Sequence, residues 1–87
     1  MGAHDKLIEK VLRGTSDANI AFEDLCQLLR YLGFDERTRG SHHLFRKSGI
    51  SELINLQRES SKAKVYQVRQ VRAVLVKYRL AGEGGED

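Results

Sequence analysis

Apolar positions recur at helical spacing in three parts of this chain and alternate with polar ones in between. Phe22, Leu25, Leu28, Leu29 and Leu32 fall on one stripe, which predicts an amphipathic helix over the twenties. Glu23 and Asp24 lie in its first turn, where the helix dipole favours acids. Gly33 is placed to take a left-handed cap, with Phe34 folding back on the last turn. Upstream, Leu7, Ile8, Val11 and Leu12 predict a short helix over residues 5–13, stopped by Gly14. A helix that short is marginal by itself and must dock on the rest. Thr15 to Asn19 reads as a polar connector.

After Phe34 the period changes. Three short strands fit: Asp35–Arg39, His42–Lys47 and Glu52–Gln57, with turns at Gly40-Ser41 and Ser48-Gly49. Gly40 can supply the positive φ that the first central position of a type II′ hairpin requires. Alternation puts His42, Leu44 and Arg46 on one face of the middle strand and His43, Phe45 and Lys47 on the other. Arg58–Lys64 is a basic loop. Val65–Arg79 is Val-rich, but its length and the spacing of Val68, Val71, Leu75 and Tyr78 predict a helix. The stretch 81–87 lacks the apolar content to fold. The expected order is helix, helix, three strands, helix: an α+β chain organised as residues 1–19, 20–80 and an acidic tail, 81–87.

Charge changes the picture from fold to partner. The 87 residues carry a net charge of +3, with three acids in the tail. Residues 58–79 hold seven basic groups against a single acid, Glu59. That balance points to nucleic acid or an acidic protein. Cys26, the only cysteine, excludes an internal disulfide and any multi-cysteine zinc site, and its neighbours Leu25, Leu28 and Leu29 predict a packed thiol. No cluster of acids and histidines has ligand spacing, so neither a metal nor another cofactor is expected. No apolar run approaches the ~20 residues of a membrane span, and the start of the chain lacks the apolar core of a signal peptide. The expected location is the cytoplasm.

The chemistry concentrates at residues 39–46, Arg-Gly-Ser-His-His-Leu-Phe-Arg. A histidine leaving a tight turn among Arg37, Arg39, Arg46 and Lys47 suits acid–base work on a polyanion. Imidazole titrates near neutrality, at about pH 6.5, and needs no metal to take the proton of an RNA 2′-OH as that oxygen attacks the adjacent phosphorus. Cations nearby would stabilise the developing charge.

Gly40-Ser41-His42-His43-Leu44-Phe45 resembles the Gly-Ser/Thr-His-x-x-aromatic motif of the HicA family, the small toxins of bacterial toxin–antitoxin pairs. The likeness continues upstream in Leu-x-x-Leu-Leu-x-x-Leu-Gly-Phe (Leu25 to Phe34). Downstream come a strand, a Lys-rich turn and a closing helix, so that it covers about residues 20–80. The resemblance implies an αβββα core of the double-stranded-RNA-binding-domain-like fold, to which the first helix is an addition. It implies a metal-independent endoribonuclease that cleaves mRNA, halts translation and is neutralised by a HicB-type antitoxin. The position after Gly-Ser makes His42 the catalytic histidine, with His43 as runner-up. Gly40, Ser41, Arg37, Arg39, Arg46, Lys47, Arg58, Lys62, Lys64, Tyr66 and Arg69 are the candidate RNA contacts. Leu44 and Tyr66 are candidate anchors for the antitoxin. The chain departs from the family's Pro-x-His element: Ile54-Asn55-Leu56-Gln57 stands in that region, and Gln67 joins Tyr66 and Arg69 as a substitute RNA contact. Two other functions fit the composition, a non-catalytic RNA-binding module and a basic adaptor for an acidic protein.

Overall fold

A computed structural model describes residues 3–80 of the chain; the tail at 81–87 lies outside the described residues. The elements are α1 (Ala3–Arg13), α2 (Phe22–Tyr31), β1 (Asp35–Arg39), β2 (His42–Arg46), β3 (Ile54–Gln57) and α3 (Val65–Lys77). A short 3-10 turn, Asp17–Asn19, interrupts the connector after α1. The sheet is antiparallel in the order β1-β2-β3. The chain thus has the αβββα order of the double-stranded-RNA-binding-domain-like fold, preceded by an extra helix.

One core serves the described residues. Phe22, Leu25, Leu28 and Leu29 of α2 meet Phe45, Ile54 and Leu56 of the sheet and Val68, Val71 and Leu75 of α3. Val11 of α1 belongs to the same core, so the first helix docks on the rest, as its shortness demands. Both α2 and α3 cover one face of the sheet, and the other face is open.

Local chemistry explains where the elements stop. Gly33 has φ +95°, and the Phe34 amide donates to the Leu29 carbonyl at 3.0 Å while Phe34 buries its ring. That is the Schellman end foreseen for α2. Gly14, at φ +76°, ends α1, and a Cβ there would lie 3.3 Å from the Arg72 guanidinium. Arg72 fills that space for a reason. It donates to the Val11 carbonyl at 3.1 Å, one of the orphaned acceptors at the helix end, and grips Asp17 through two bonds at 2.9 and 3.1 Å. One α3 side chain therefore ties α1 and the connector to the last helix.

Four boundaries differ from expectation, the first being α1, which begins at Ala3 and not at Asp5. β2 ends at Arg46, one residue early. β3 begins at Ile54 and not at Glu52, because Glu52 is drawn off to α3. Its carboxylate accepts from Lys77 Nζ at 2.8 Å and from the Tyr78 hydroxyl at 2.6 Å. Leu53 is left exposed beside it. Lastly, α3 stops at Lys77 and does not reach Arg79. Arg79 takes φ +53°, and the Leu80 amide folds back to the Leu75 carbonyl at 3.0 Å. Leu80 packs against the core from there, which drives the reversal without a glycine to announce it.

Gln67, 1% exposed, is the buried polar residue of the core. Its carbonyl oxygen accepts from the Lys64 amide at 3.0 Å and caps α3, and its amide donates to the Gln57 carbonyl at 3.0 Å. It joins α3 to the end of β3 and is too deeply buried to contact RNA, which corrects the expectation for this residue.

Two predictions follow from the ends and the ion pairs. Arginine in the left-handed region costs about 1–2 kcal/mol relative to ordinary backbone. Glycine gives part of this back through its greater freedom when unfolded, so Arg79→Gly should raise stability by about 0.5–1 kcal/mol, read from the urea midpoint. Second, the Lys77 ammonium and then the Tyr78 hydroxyl hold Glu52 down to about 2. Arg72 lowers Asp17, and Arg30, chiefly, lowers Glu23 and Glu36. A carboxyl lowered by folding binds its proton less tightly in the native state. The stability it adds is present above the ordinary value of 4.5 for Glu and disappears as pH falls toward the native value, about 2 for Glu52. Urea midpoints should therefore hold steady from about pH 7 to 5 and drop between about pH 4.5 and 2. A midpoint that rises on acidification would refute the pairing.

Candidate nucleic-acid interface

The β1–β2 hairpin sets the geometry. Arg39 pairs with His42, leaving Gly40 and Ser41 as a two-residue loop. Gly40 has φ +58°, and Ser41 is not among the positive-φ residues, which is the type II′ pattern. A Cβ on Gly40 would meet nothing within 4 Å, so the backbone angle and not space calls for glycine. The Ser41 carbonyl then accepts the Arg58 amide at 2.9 Å, which continues the β2–β3 ladder past Gln57.

Pairing register sorts the side chains. Phe45 opposes Glu36 and Ile54, and His43 opposes Thr38 and Leu56; these face the helices. His42 opposes Arg39 and Gln57, Leu44 opposes Arg37 and Asn55, and Arg46 opposes Asp35; these face outward. The two histidines stand on opposite faces, as alternation requires.

On the open face Arg37, Arg39 and Arg46 surround Leu44. With Asp35, Glu36 and Leu53 they line a shallow hollow of ≈ 600 Å³. All three arginines are exposed. Among the described residues no carboxylate lies within 4.0 Å of any of their guanidinium groups. His42, half-buried, stands next to the hollow toward the turn. Its Nδ1 lies 3.2 Å from Asn55 Oδ1. The amide oxygen only accepts, so Nδ1 carries the hydrogen in this arrangement, and in the neutral ring Nε2 then presents its lone pair. Leu44 is outside the core cluster and forms the floor of the hollow.

The other expected contacts lie elsewhere, and most of them are engaged by the protein's own groups. Arg58 pairs with Glu23 at 2.9 Å and stacks 4.7 Å from the Phe22 ring centroid, on the helix side. Lys64 pairs with Glu59 at 3.4 Å, and Arg69 lies 3.8 Å from Asp17. Lys62 Nζ donates to Asn19 Oδ1 at 3.4 Å. Lys47 Nζ approaches Gly33 so closely that a Cβ there would lie 2.7 Å from it. It faces the carbonyl end of α2, where a cation is favoured. Tyr66 is 59% exposed near the start of α3 and does not share a face with Leu44. The structure thus gathers Arg37, Arg39, Gly40, Ser41, His42, Leu44 and Arg46 in one region and leaves Lys47, Arg58, Lys62, Lys64, Tyr66 and Arg69 apart from it.

His43 is held on the helix side. Its ring packs edge-on against Phe22 at 5.3 Å between centroids, and Nδ1 lies 2.8 Å from Glu36 Oε2. Arg30 grips the same carboxylate at 2.6 and 3.0 Å and keeps it ionised, so Nδ1–H is the donor. Cys26 lies beside this pair. A sulfur, an oxygen and a nitrogen of Cys26, Glu36 and His43 fall within 4.8 Å of one another, a group with ligand chemistry that corrects the expectation of none. Sequence spacing misses it because its members come from α2, β1 and β2. Asn55 was also missed as a partner of His42. Its signal is one polar residue between the buried Ile54 and Leu56, which puts it on the outward parity.

Among the described residues no helix is long and apolar enough to cross a membrane. Searches against protein-family models, curated proteins and solved structures find no match to this chain.

Proposed function

We propose that this chain is an RNA-binding protein whose open sheet face takes the nucleic acid. One observation carries the reading: three arginines that have no carboxylate partner among the described residues ring an apolar-floored hollow on an exposed sheet face. Elsewhere the cations are mostly neutralised by the protein's own groups. Guanidinium groups suit phosphate through paired donors, and Leu44 with Leu53 offers an apolar surface for a base. Phosphate attraction of this kind is strongly salt-dependent.

A second reading adds catalysis, and the His42–Asn55 contact favours it. A neutral His42 held through Nδ1–H has Nε2 free to accept the proton of a 2′-OH, while Arg39, its cross-strand neighbour, stands ready for charge on the phosphate. One positioned base supplies about 10²–10⁴-fold. This is the mechanism expected of a HicA-type mRNA interferase. The restraining HicB-type antitoxin would then be an acidic protein that covers the Leu44 hollow, with opposite charge speeding association.

Fluorescence titration against single-stranded RNA tests the binding. Three phosphate contacts at roughly −0.7 each give a log–log salt slope of about −2. Replacing Arg37, Arg39 and Arg46 by Ser should flatten the slope and weaken binding. Each exposed replacement should change stability by only about 0.5 kcal/mol or less. An unchanged slope in the triple variant would remove the open face from consideration.

Incubating labelled RNA with His42→Ala tests the catalytic reading separately. RNA cleavage by wild type, lost in His42→Ala with RNA still bound, supports it. Binding without cleavage by the wild type leaves the protein a non-catalytic RNA-binding module.

A further inference from the structure

Cys26, Glu36 and His43 occupy the helix side of the sheet, away from the open face. Three features make them more than neighbours. The Cys26 thiol is fully buried, and among the described residues it has no hydrogen-bond partner. It is aimed at the carboxylate–imidazole pair, with all three ligand atoms within 4.8 Å of one another. The outer two residues are not sealed in, since the side chains of His43 and Glu36 keep 14% and 17% of their exposure. A thiol packed for its bulk alone does not require a carboxylate and an imidazole converging on its sulfur.

We propose that Cys26, Glu36 and His43 bind one divalent ion of the zinc class, with solvent as the fourth ligand. The donor set argues for the ion. Thiolate and imidazole favour zinc over magnesium or calcium, which take oxygen cages. Bonds of about 2.0–2.3 Å in a tetrahedron place ligand atoms about 3.3–3.8 Å apart, so His43 Nδ1 and Glu36 Oε2, now 2.8 Å apart, must part slightly while the Cys26 sulfur closes on them by up to about 1.5 Å. On binding, the Cys26 thiol releases its proton to solvent, the His43 proton moves from Nδ1 to Nε2 by way of solvent, and Nδ1 exchanges its bond to Glu36 for one to the metal. Thiolate and carboxylate together balance the ion's charge. Arg30 can keep its 2.6 Å bond to Glu36 Oε1 and so orient the ligand from outside, the role that outer hydrogen bonds play at metal centres. The surrounding charges, Arg30 and Arg58 against Glu23, add one net positive charge and do not overcome the two anionic ligands.

The site would serve the fold. Strand β1 buries no residue of its own, and Glu36 ties it to α2 through Arg30 and to β2 through His43. A metal would lock β1, β2 and α2 together at one point.

The test uses the full chain freed of metal. Cobalt(II) should bind once, with a near-ultraviolet thiolate-to-cobalt band and the strong visible bands of four-coordination, and Zn²⁺ should displace it. Zn²⁺, unlike Mg²⁺, should raise the melting temperature and slow modification of Cys26 by a thiol reagent at least about tenfold. Glu36→Gln and His43→Gln should each weaken cobalt binding by about tenfold or more. His42→Gln, on the opposite face, should leave it unchanged. Cys26→Ala should abolish the thiolate band; because that variant removes a core side chain, the wild-type protection assay stands independently of it. A folded wild type that shows no thiolate–cobalt band overturns the proposal. So does a band of undiminished affinity in either Glu36→Gln or His43→Gln, or Zn²⁺ that fails to protect Cys26.

Discussion

Phe45 is wholly buried against the helices, and a strand has only two faces. That burial fixes the parity of β2, and with it His42, Leu44 and Arg46 must point outward. The type II′ loop at Gly40-Ser41 then transmits the parity to β1. Because Arg39 must oppose His42, Arg37 and Arg39 arrive on the same outward face. A one-residue slip would reverse the assignment, burying arginines and exposing a phenylalanine, at a cost no small domain could carry. The basic hollow is therefore a by-product of where one aromatic ring goes and of one glycine's φ. The same parity brings His43 and Glu36 to the helix side.

Much of this was readable along the chain. The leucine stripe of α2, its glycine-terminated end and the two-residue hairpin carry strong local signals. In each a residue's shape or backbone freedom acts on near neighbours. The opposite holds where the sequence misleads. Glu52 looks like the start of a strand until Lys77 and Tyr78, remote in sequence, take its carboxylate. Arg79 looks helical until Leu80 finds the core. Gln67 reads as a polar surface residue, yet it closes a gap between α3 and β3 that only the tertiary structure creates.

The candidate site divides along the same line. Alternation was enough to separate His42 from His43 and to group Arg46 with His42. It says nothing about which cations are already neutralised. Arg58, Lys64 and Arg69 count as positive charges in a composition, but Glu23, Glu59 and Asp17 stand beside them once the chain is folded. The effective positive surface moves from the second half of the sequence to the hairpin. The grouping of Cys26, Glu36 and His43 has no local signature because each belongs to a different element.

The composition of β1 has one more consequence. Asp-Glu-Arg-Thr-Arg is an edge strand with four charged residues in five and none buried. Its free backbone edge would otherwise invite another strand to pair. A newcomer would have to set its side chains against this row of fixed charges and find no apolar residue in return, so the edge discourages both self-association and strand addition. Any macromolecule that recognises this protein at the hairpin is thereby directed to approach across the sheet, broadside, and not along its rim.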